Sequence, residues 1–150
     1  YRRHPIALPA NTTFNILCRF GNLAPAIAAD TVIKVLLVDD SDDVLLMVSR
    51  FLRAQGMVAT TTNAPFEVLE RIRVDRPDVL VLDLMMPGLS GDAVARFAAD
   101  GVPVIFYSAA DDETLTNVRR EHPHARIRRK GGPLRDLAEA VQHTRGAEVR

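Results

Sequence analysis

Asp39 and Asp40 follow the apolar run Val35-Leu36-Leu37-Val38, and Asp83 follows a second such run, Val79-Leu80-Val81-Leu82. Short aliphatic runs that end on acids read as strands of an open parallel sheet. The carboxyl ends of such strands meet in one crevice, so carboxylates far apart in sequence converge there. Three acids in one place repel unless a cation joins them. Mg²⁺ suits this donor set, because it prefers carboxylate and water oxygens and keeps substrate phosphate in its shell. The chemistry implied is phosphoryl transfer.

Two further residues fall at the same edge. Ser108 closes the run Pro103-Val104-Ile105-Phe106-Tyr107 and offers a hydroxyl to a phosphoryl oxygen. Lys130 closes Ala125 to Arg129 and can meet a carboxylate or phosphate as a point charge. Standing alone, Asp39-Asp40 would read as solvated loop acids, Ser108 as a cap or turn residue and Lys130 as a surface lysine. Asp83 shifts that balance, because a carboxylate at the end of the most apolar strand is costly to desolvate without a partner.

The elements that must position these residues alternate short aliphatic runs with amphipathic ones, the pattern of a doubly wound α/β sheet with helices on both faces. Five strands are expected: Val32 to Val38, Met57 to Thr61, Val79 to Asp83, Pro103 to Tyr107 and Ala125 to Arg129. The third is apolar on both faces and therefore central, whereas the Thr-rich second lies near an edge. A first helix, Asp42 to Ala54, places Val44, Leu45, Val48, Phe51 and Leu52 on one stripe, with Ser41 as N-cap and Gln55-Gly56 as stop. Asn63 is expected to cap a second helix that carries Pro65 in its first turn and ends at Arg76-Pro77. The segment Leu84 to Gly91 holds too many breakers for a helix. Helices are expected from Asp92 to Ala99, from Asp111-Asp112-Glu113 to about Glu121, and onward from Pro133 with Leu134, Leu137, Ala138 and Val141 at core spacing.

With 150 residues, 47% of them hydrophobic, the chain suits one compact domain. A formal net charge of zero gives no global attraction to nucleic acid or anionic membrane. The single Cys18 cannot form an internal disulfide and reads as an incidental thiol in a reducing compartment. No apolar stretch reaches the roughly 20 residues of a membrane helix, and a cytoplasmic location is expected. Residues 1–31 show neither strand nor helix period. Pro5 and Pro9 interrupt the only run after Arg2-Arg3 that resembles a secretion signal. These residues are expected to be a disordered or non-native arm, for instance sequence upstream of an alternative start at Val32. The folded domain is expected over 32–145, with 146–150 as a polar tail.

Four segments then carry a family resemblance: Val35-Leu36-Leu37-Val38-Asp39-Asp40-Ser41, the stretch from Leu80 through Asp83-Leu84-Met85-Met86-Pro87-Gly88 to Gly91, Pro103 through Ser108-Ala109, and Lys130. In this order, each at a strand end, they resemble the receiver domain of two-component response regulators, over about Val32 to Val141. The resemblance implies a flavodoxin-like sheet of order 2-1-3-4-5, similar to chemotaxis regulators, and a signalling domain rather than an enzyme. It implies Asp83 as phosphoacceptor and Asp39, Asp40, Asp83 and the Met85 backbone carbonyl as Mg²⁺ ligands. Ser108 would be the hydroxyl switch and Lys130 the phosphate-sensing cation. The implied partners are a sensor histidine kinase or phosphotransfer protein. An effector domain or a second copy would meet the face formed by the fourth helix, fifth strand and fifth helix, and no direct contact with nucleic acid or membrane is expected.

The chain departs from that pattern in places. Gly131 stands where the family has proline after the lysine, so Lys130 is held less firmly unless tertiary contacts fix it. Ile127 occupies the aromatic switch position, and Tyr107, next to Ser108, reads as strand packing rather than a substitute. Arg119, Arg120, Arg126, Arg128, Arg129 and Lys130, flanked by His122 and His124, make the neighbourhood of strand five unusually basic, and the third helix is short. An unphosphorylated interaction module is the alternative these departures favour. A phosphohydrolase would need a second acid two residues after the nucleophile, where this chain has Met85.

Overall fold

The computed structural model describes residues 32–98 and 101–146; the expectations for residues 1–31, Cys18 and the end of the polar tail lie outside them. Five parallel strands, β1 (Lys34–Val38), β2 (Val58–Thr62), β3 (Val79–Leu82), β4 (Val104–Ser108) and β5 (Arg126–Arg129), form a sheet of order β2-β1-β3-β4-β5. This is the expected order. Helices α1 (Asp42–Ala54), α2 (Val68–Asp75), α3 (Gly91–Ala98), α4 (Asp112–Glu121) and α5 (Leu134–Gly146) connect and follow the strands.

The two central strands have no polar face because both faces are covered. Val35, Leu37, Val79 and Val81 point into one core with Ile105, Tyr107 and residues of α1 and α5. Leu36, Val38, Leu80 and Leu82 point into the other with Phe106, Val68, Val94 and Leu115. Period-two alternation thus assigns each strand residue to one of two cores. The Thr-rich β2 and the arginine-rich β5 take the two edges, where one flank of the strand need not be buried.

Strand ends differ from the sequence reading by one or two residues. β1 starts at Lys34 rather than Val32, β3 ends before Asp83, and β4 runs on to include Ser108. Ser41 caps α1 as expected, accepting from the Val44 N–H at 3.4 Å. The expected cap of the second helix is corrected. Asn63 caps nothing there, and its side-chain amide donates to Asp42 Oδ1 at 3.0 Å. Thr62, buried at the end of β2, accepts from the Ala64 N–H at 3.1 Å. A single 3-10 turn, Pro65–Glu67, then leads into α2. Adjacent Thr and Asn are both competent to accept such a bond. The strand end holds Thr62 facing inward and turns Asn63 to the surface. At the other end of α2, Arg76 adopts a left-handed conformation (φ 46°) before Pro77, consistent with the steric bar on helix before proline.

Candidate functional site

Because β1 and β3 are neighbours whose connections run to opposite faces, the residues just past their carboxyl ends share one crevice. Asp39 and Asp83 sit there, each 4% exposed, and the exposed Asp40 completes a group whose carboxylate oxygens lie within 4.8 Å of one another. Lys130, arriving from β5, is the cation in their midst. Its Nζ lies 2.6 Å from Asp39 Oδ2 and 2.8 Å from Asp83 Oδ2. It is one of only two lysines in the chain.

Backbone donors hold the remaining carboxylate oxygens. The Ser41 N–H donates to Asp39 Oδ1 at 3.0 Å, and the Met85 N–H donates to Asp83 Oδ1 at 3.3 Å. Ser108 is fully buried, with Oγ accepting from the Ala110 N–H at 3.3 Å. The Lys130 N–H donates to the Ser108 carbonyl at 2.9 Å, which ties the end of β5 to the end of β4. Lys130 is therefore held by two ion pairs and a backbone bond although glycine follows it. Gly131 itself adopts a left-handed φ of 88°, open to glycine at little cost.

The structure brings Asp39, Asp40, Asp83, Ser108 and Lys130 to one edge, as the sequence spacing implies. Met85 stands exposed in the loop after β3. Ile127 packs on the Phe106 side of the sheet, its partner in register, whereas Tyr107 faces the opposite core. Tyr107 is thus a packing residue. Part of the basic neighbourhood is internally engaged: Arg129 pairs with Asp112, and the Arg128 guanidinium donates to the carbonyls of Ile127 and Asp136.

One residue of the site carried a different reading in the sequence. Gly91, read as a helix breaker and as the last residue of the Leu80 to Gly91 motif, is the first residue of α3 and lies against the backbone of Asp83. A Cβ placed on it would stand 1.9 Å from the Asp83 carbonyl oxygen. Its signal in the sequence is its place at the end of that motif, eight residues after Asp83.

Burial raises the pKa of Asp39 above its ordinary value, against hydrogen bonds from Lys130 and Ser41 that lower it. For Lys130, desolvation works against the charged form, but the hydrogen bonds to Asp39 and Asp83 outweigh it and raise the pKa above 10.5. Burial likewise raises Tyr107 above 10.0. A lysine or tyrosine raised on folding contributes stability that is present below its unfolded value and lost as pH climbs through the folded one. Stability is therefore expected to hold to about pH 10 and to fall above it. Asp39, also raised, is easier to protonate in the folded state and so does not drive acid unfolding. Urea melts between pH 8 and pH 11 check this: the wild type should fall more steeply than Lys130→Met, and parallel profiles would refute the assignment.

Three carboxylates facing one ammonium leave an excess of negative charge in a largely buried, all-oxygen site. That donor set fits a hard divalent cation such as Mg²⁺.

Comparison with known proteins agrees with this geometry. The chain is 35% identical over 81 residues to the DNA-binding response regulator MtrA of Mycolicibacterium smegmatis, covering 53% of this chain and 36% of MtrA. It is 38% identical over 82 residues to the response regulator MprA of Mycobacterium ulcerans, covering 53% and 35%. The chain thus spans about a third of the length of these curated relatives. Among solved structures, a response regulator receiver protein from Burkholderia phymatum is similar with a TM-score of 0.68 and 31% identity, over 76% of this chain and 95% of that one. A CheY-like receiver domain protein from Methanospirillum hungatei, at 18% identity and a TM-score of 0.70 over 78% and 96%, shares the fold. Residues 35–141 match the response regulator receiver domain, and the chain belongs to that family of two-component signalling domains.

Proposed function

We propose that this receiver domain accepts a phosphoryl group on Asp83 from the phosphohistidine of a sensor histidine kinase or phosphotransfer protein, and that the acyl phosphate shifts its α4-β5-α5 face between two states. The observation that supports this best is the buried Asp83 carboxylate, set between two further acids and bound by Lys130. Asp39, Asp40 and Asp83, with the Met85 backbone carbonyl, would hold Mg²⁺. When bound, the ion supplies positive charge against the carboxylates and the phosphoryl oxygens.

The chain's own residues supply the rest. Each Asp83 oxygen already has a donor, Met85 N–H on one side and Lys130 Nζ on the other. Each oxygen keeps a second lone pair, with which it can attack phosphorus in line with the leaving imidazole while its donor stays in place. The largely buried crevice limits water around the reacting atoms, so fixed charges act there more strongly than in bulk solvent. Once the group is transferred, Lys130 can follow the new negative charge. Ser108, whose Oγ accepts from Ala110, has its O–H to donate to a phosphoryl oxygen. Movement of either residue pulls on the ends of β4 and β5, which the Lys130–Ser108 backbone bond couples. Ile127 offers no rotating aromatic, so the change would pass through these strand ends and the loop before α4.

An effector domain or a second copy is the partner expected on the α4-β5-α5 face, where Arg129 and Arg128 are partly engaged within the chain. MtrA is a DNA-binding response regulator, but the match covers only 36% of it, and no direct nucleic-acid contact is assigned to this chain. Among the described residues no helix is long and apolar enough to cross a membrane. A cytoplasmic location fits the proposed phosphodonor.

Incubation with Mg²⁺ and acetyl phosphate, followed by intact mass measurement, tests the proposal. One phosphoryl adduct is expected on the wild type and none on Asp83→Asn. Absence of an adduct under conditions that label an ordinary receiver would favour the unphosphorylated interaction module, the reading that Ile127 and Gly131 support.

A further inference from the structure

Away from the acidic crevice, α3 and α4 bring a second set of metal-competent side chains together. His122 caps the C-terminus of α4, and its Nε2 lies 2.6 Å from Oδ1 of Asp92 in the first turn of α3. Glu121 adds a second carboxylate, and one ligand atom from each of the three lies within 4.8 Å of the others. The imidazole is half-buried and meets the Phe106 ring edge to face, with centroids 5.4 Å apart. Its orientation is therefore set by the core rather than by solvent. Arg96, one turn after Asp92 on α3, pairs with both Asp92 and Glu121. A resident guanidinium already holds the place a cation would take, yet two carboxylates and one guanidinium still leave a net negative charge. The Arg96 side chain is 61% exposed, so it can withdraw into water.

We propose that His122, Asp92 and Glu121 form a binding site for a borderline first-row divalent cation of the zinc class, separate from the all-oxygen site at Asp83. Imidazole with carboxylates suits such an ion, whereas Mg²⁺ takes oxygen ligands. Ligand atoms around a tetrahedral zinc, with bonds of about 2.0–2.2 Å, stand roughly 3.4 Å apart, within the spread of this group. Glu121 and His122 also line a cavity of about 570 Å³, which gives an ion a path to them. A cation bound there ties the last turn of α4 to the first turn of α3, where Gly91 abuts the Asp83 backbone.

The test is titration of the full chain with Zn²⁺ against a chromophoric chelator. One equivalent is expected to bind the wild type with micromolar affinity. His122→Gln and Asp92→Asn should each weaken it at least about tenfold, since changes even in the groups behind a metal's ligands commonly cost that much. Arg96→Ala should strengthen binding severalfold by removing the competing cation. Asp83→Asn should leave it unchanged, because that acid belongs to the other site. Thermal melts establish that each variant is folded, and two independent ligand variants keep the result decisive if one of them is not. No binding by the wild type, equal binding by wild type and the folded ligand variants, weaker binding by Arg96→Ala, or loss in Asp83→Asn would each overturn the proposal.

Discussion

Gly91→Ala is expected to cost about 3 kcal/mol of stability, at the upper end of overpacking penalties, and to slow phosphoryl uptake by about a hundredfold, the scale of an ångström's misplacement of a reacting group. The added Cβ would lie 1.9 Å from the Asp83 carbonyl oxygen, 2.8 Å from its carbonyl carbon and 3.0 Å from the Cα of Leu84. All three are backbone atoms, so no side-chain rotation relieves the clash. Either α3 lifts from the sheet or the end of β3 moves, and the second displaces the phosphoacceptor itself. Gly131 provides the contrast: a Cβ there meets nothing within 4 Å. Alanine at Gly131 should then lose only the strain of a left-handed residue, about 1–2 kcal/mol. Urea melts of both variants, with the rate of adduct formation by mass, check the pair. A Gly91→Ala protein that melts and labels like the wild type would contradict the close approach.

Lys130→Met is expected to be the other large loss, about 3 kcal/mol in Mg²⁺-free buffer. Removing the partner of buried charges leaves them uncompensated. Here one ammonium serves two carboxylates, Asp39 and Asp83, each 4% exposed. Methionine keeps the unbranched apolar stem of lysine and deletes the charged end, so packing alone does not account for the loss. Because Lys130 and a divalent cation compete for the same oxygens, the variant should bind Mg²⁺ more tightly than the wild type and recover stability on its addition. A ligand at 100 times its dissociation constant contributes about 2.7 kcal/mol, close to the expected deficit. Denaturation with and without Mg²⁺ measures both quantities. Equal Mg²⁺ responses in wild type and variant would show that Lys130 does not occupy the cation's place. Phosphoryl uptake from acetyl phosphate should also fall in the variant, since the charge that follows the phosphoryl oxygens is gone.

The metal-binding group at α3 and α4 rests on neither result. It draws on His122, Asp92 and Glu121, none of which touches the acidic crevice, and its titration reads Zn²⁺ rather than phosphoryl transfer.

The sequence by itself determined the layered sheet and the acidic half of the site, because both follow from local pattern. Runs such as Val35 to Val38 and Val79 to Leu82 leave no polar face, which requires a central parallel strand covered on both sides. Once those strands are parallel neighbours, Asp39, Asp40 and Asp83 have nowhere to lie but at one edge. Ser41 capped α1 as its position implied, whereas α2 starts without a side-chain cap, and Thr62 rather than Asn63 accepts the turn bond from Ala64 because strand direction, not residue type, chose between them. The tertiary structure alone decided what depends on distance across the fold. Lys130 and Asp83 are 47 residues apart, and whether one ammonium reaches two carboxylates depends on strand register and on a β5 end tied to Ser108. Local pattern placed a lysine at the end of a strand, and its following glycine argued for a loose one. The same holds for Gly91, a breaker by composition and a point of backbone contact in space, and for His122 with Asp92, which no spacing along the chain connects. Periodicity reports which way a side chain points from its own strand or helix, but contact between side chains needs the positions of two elements at once, and those are set by packing.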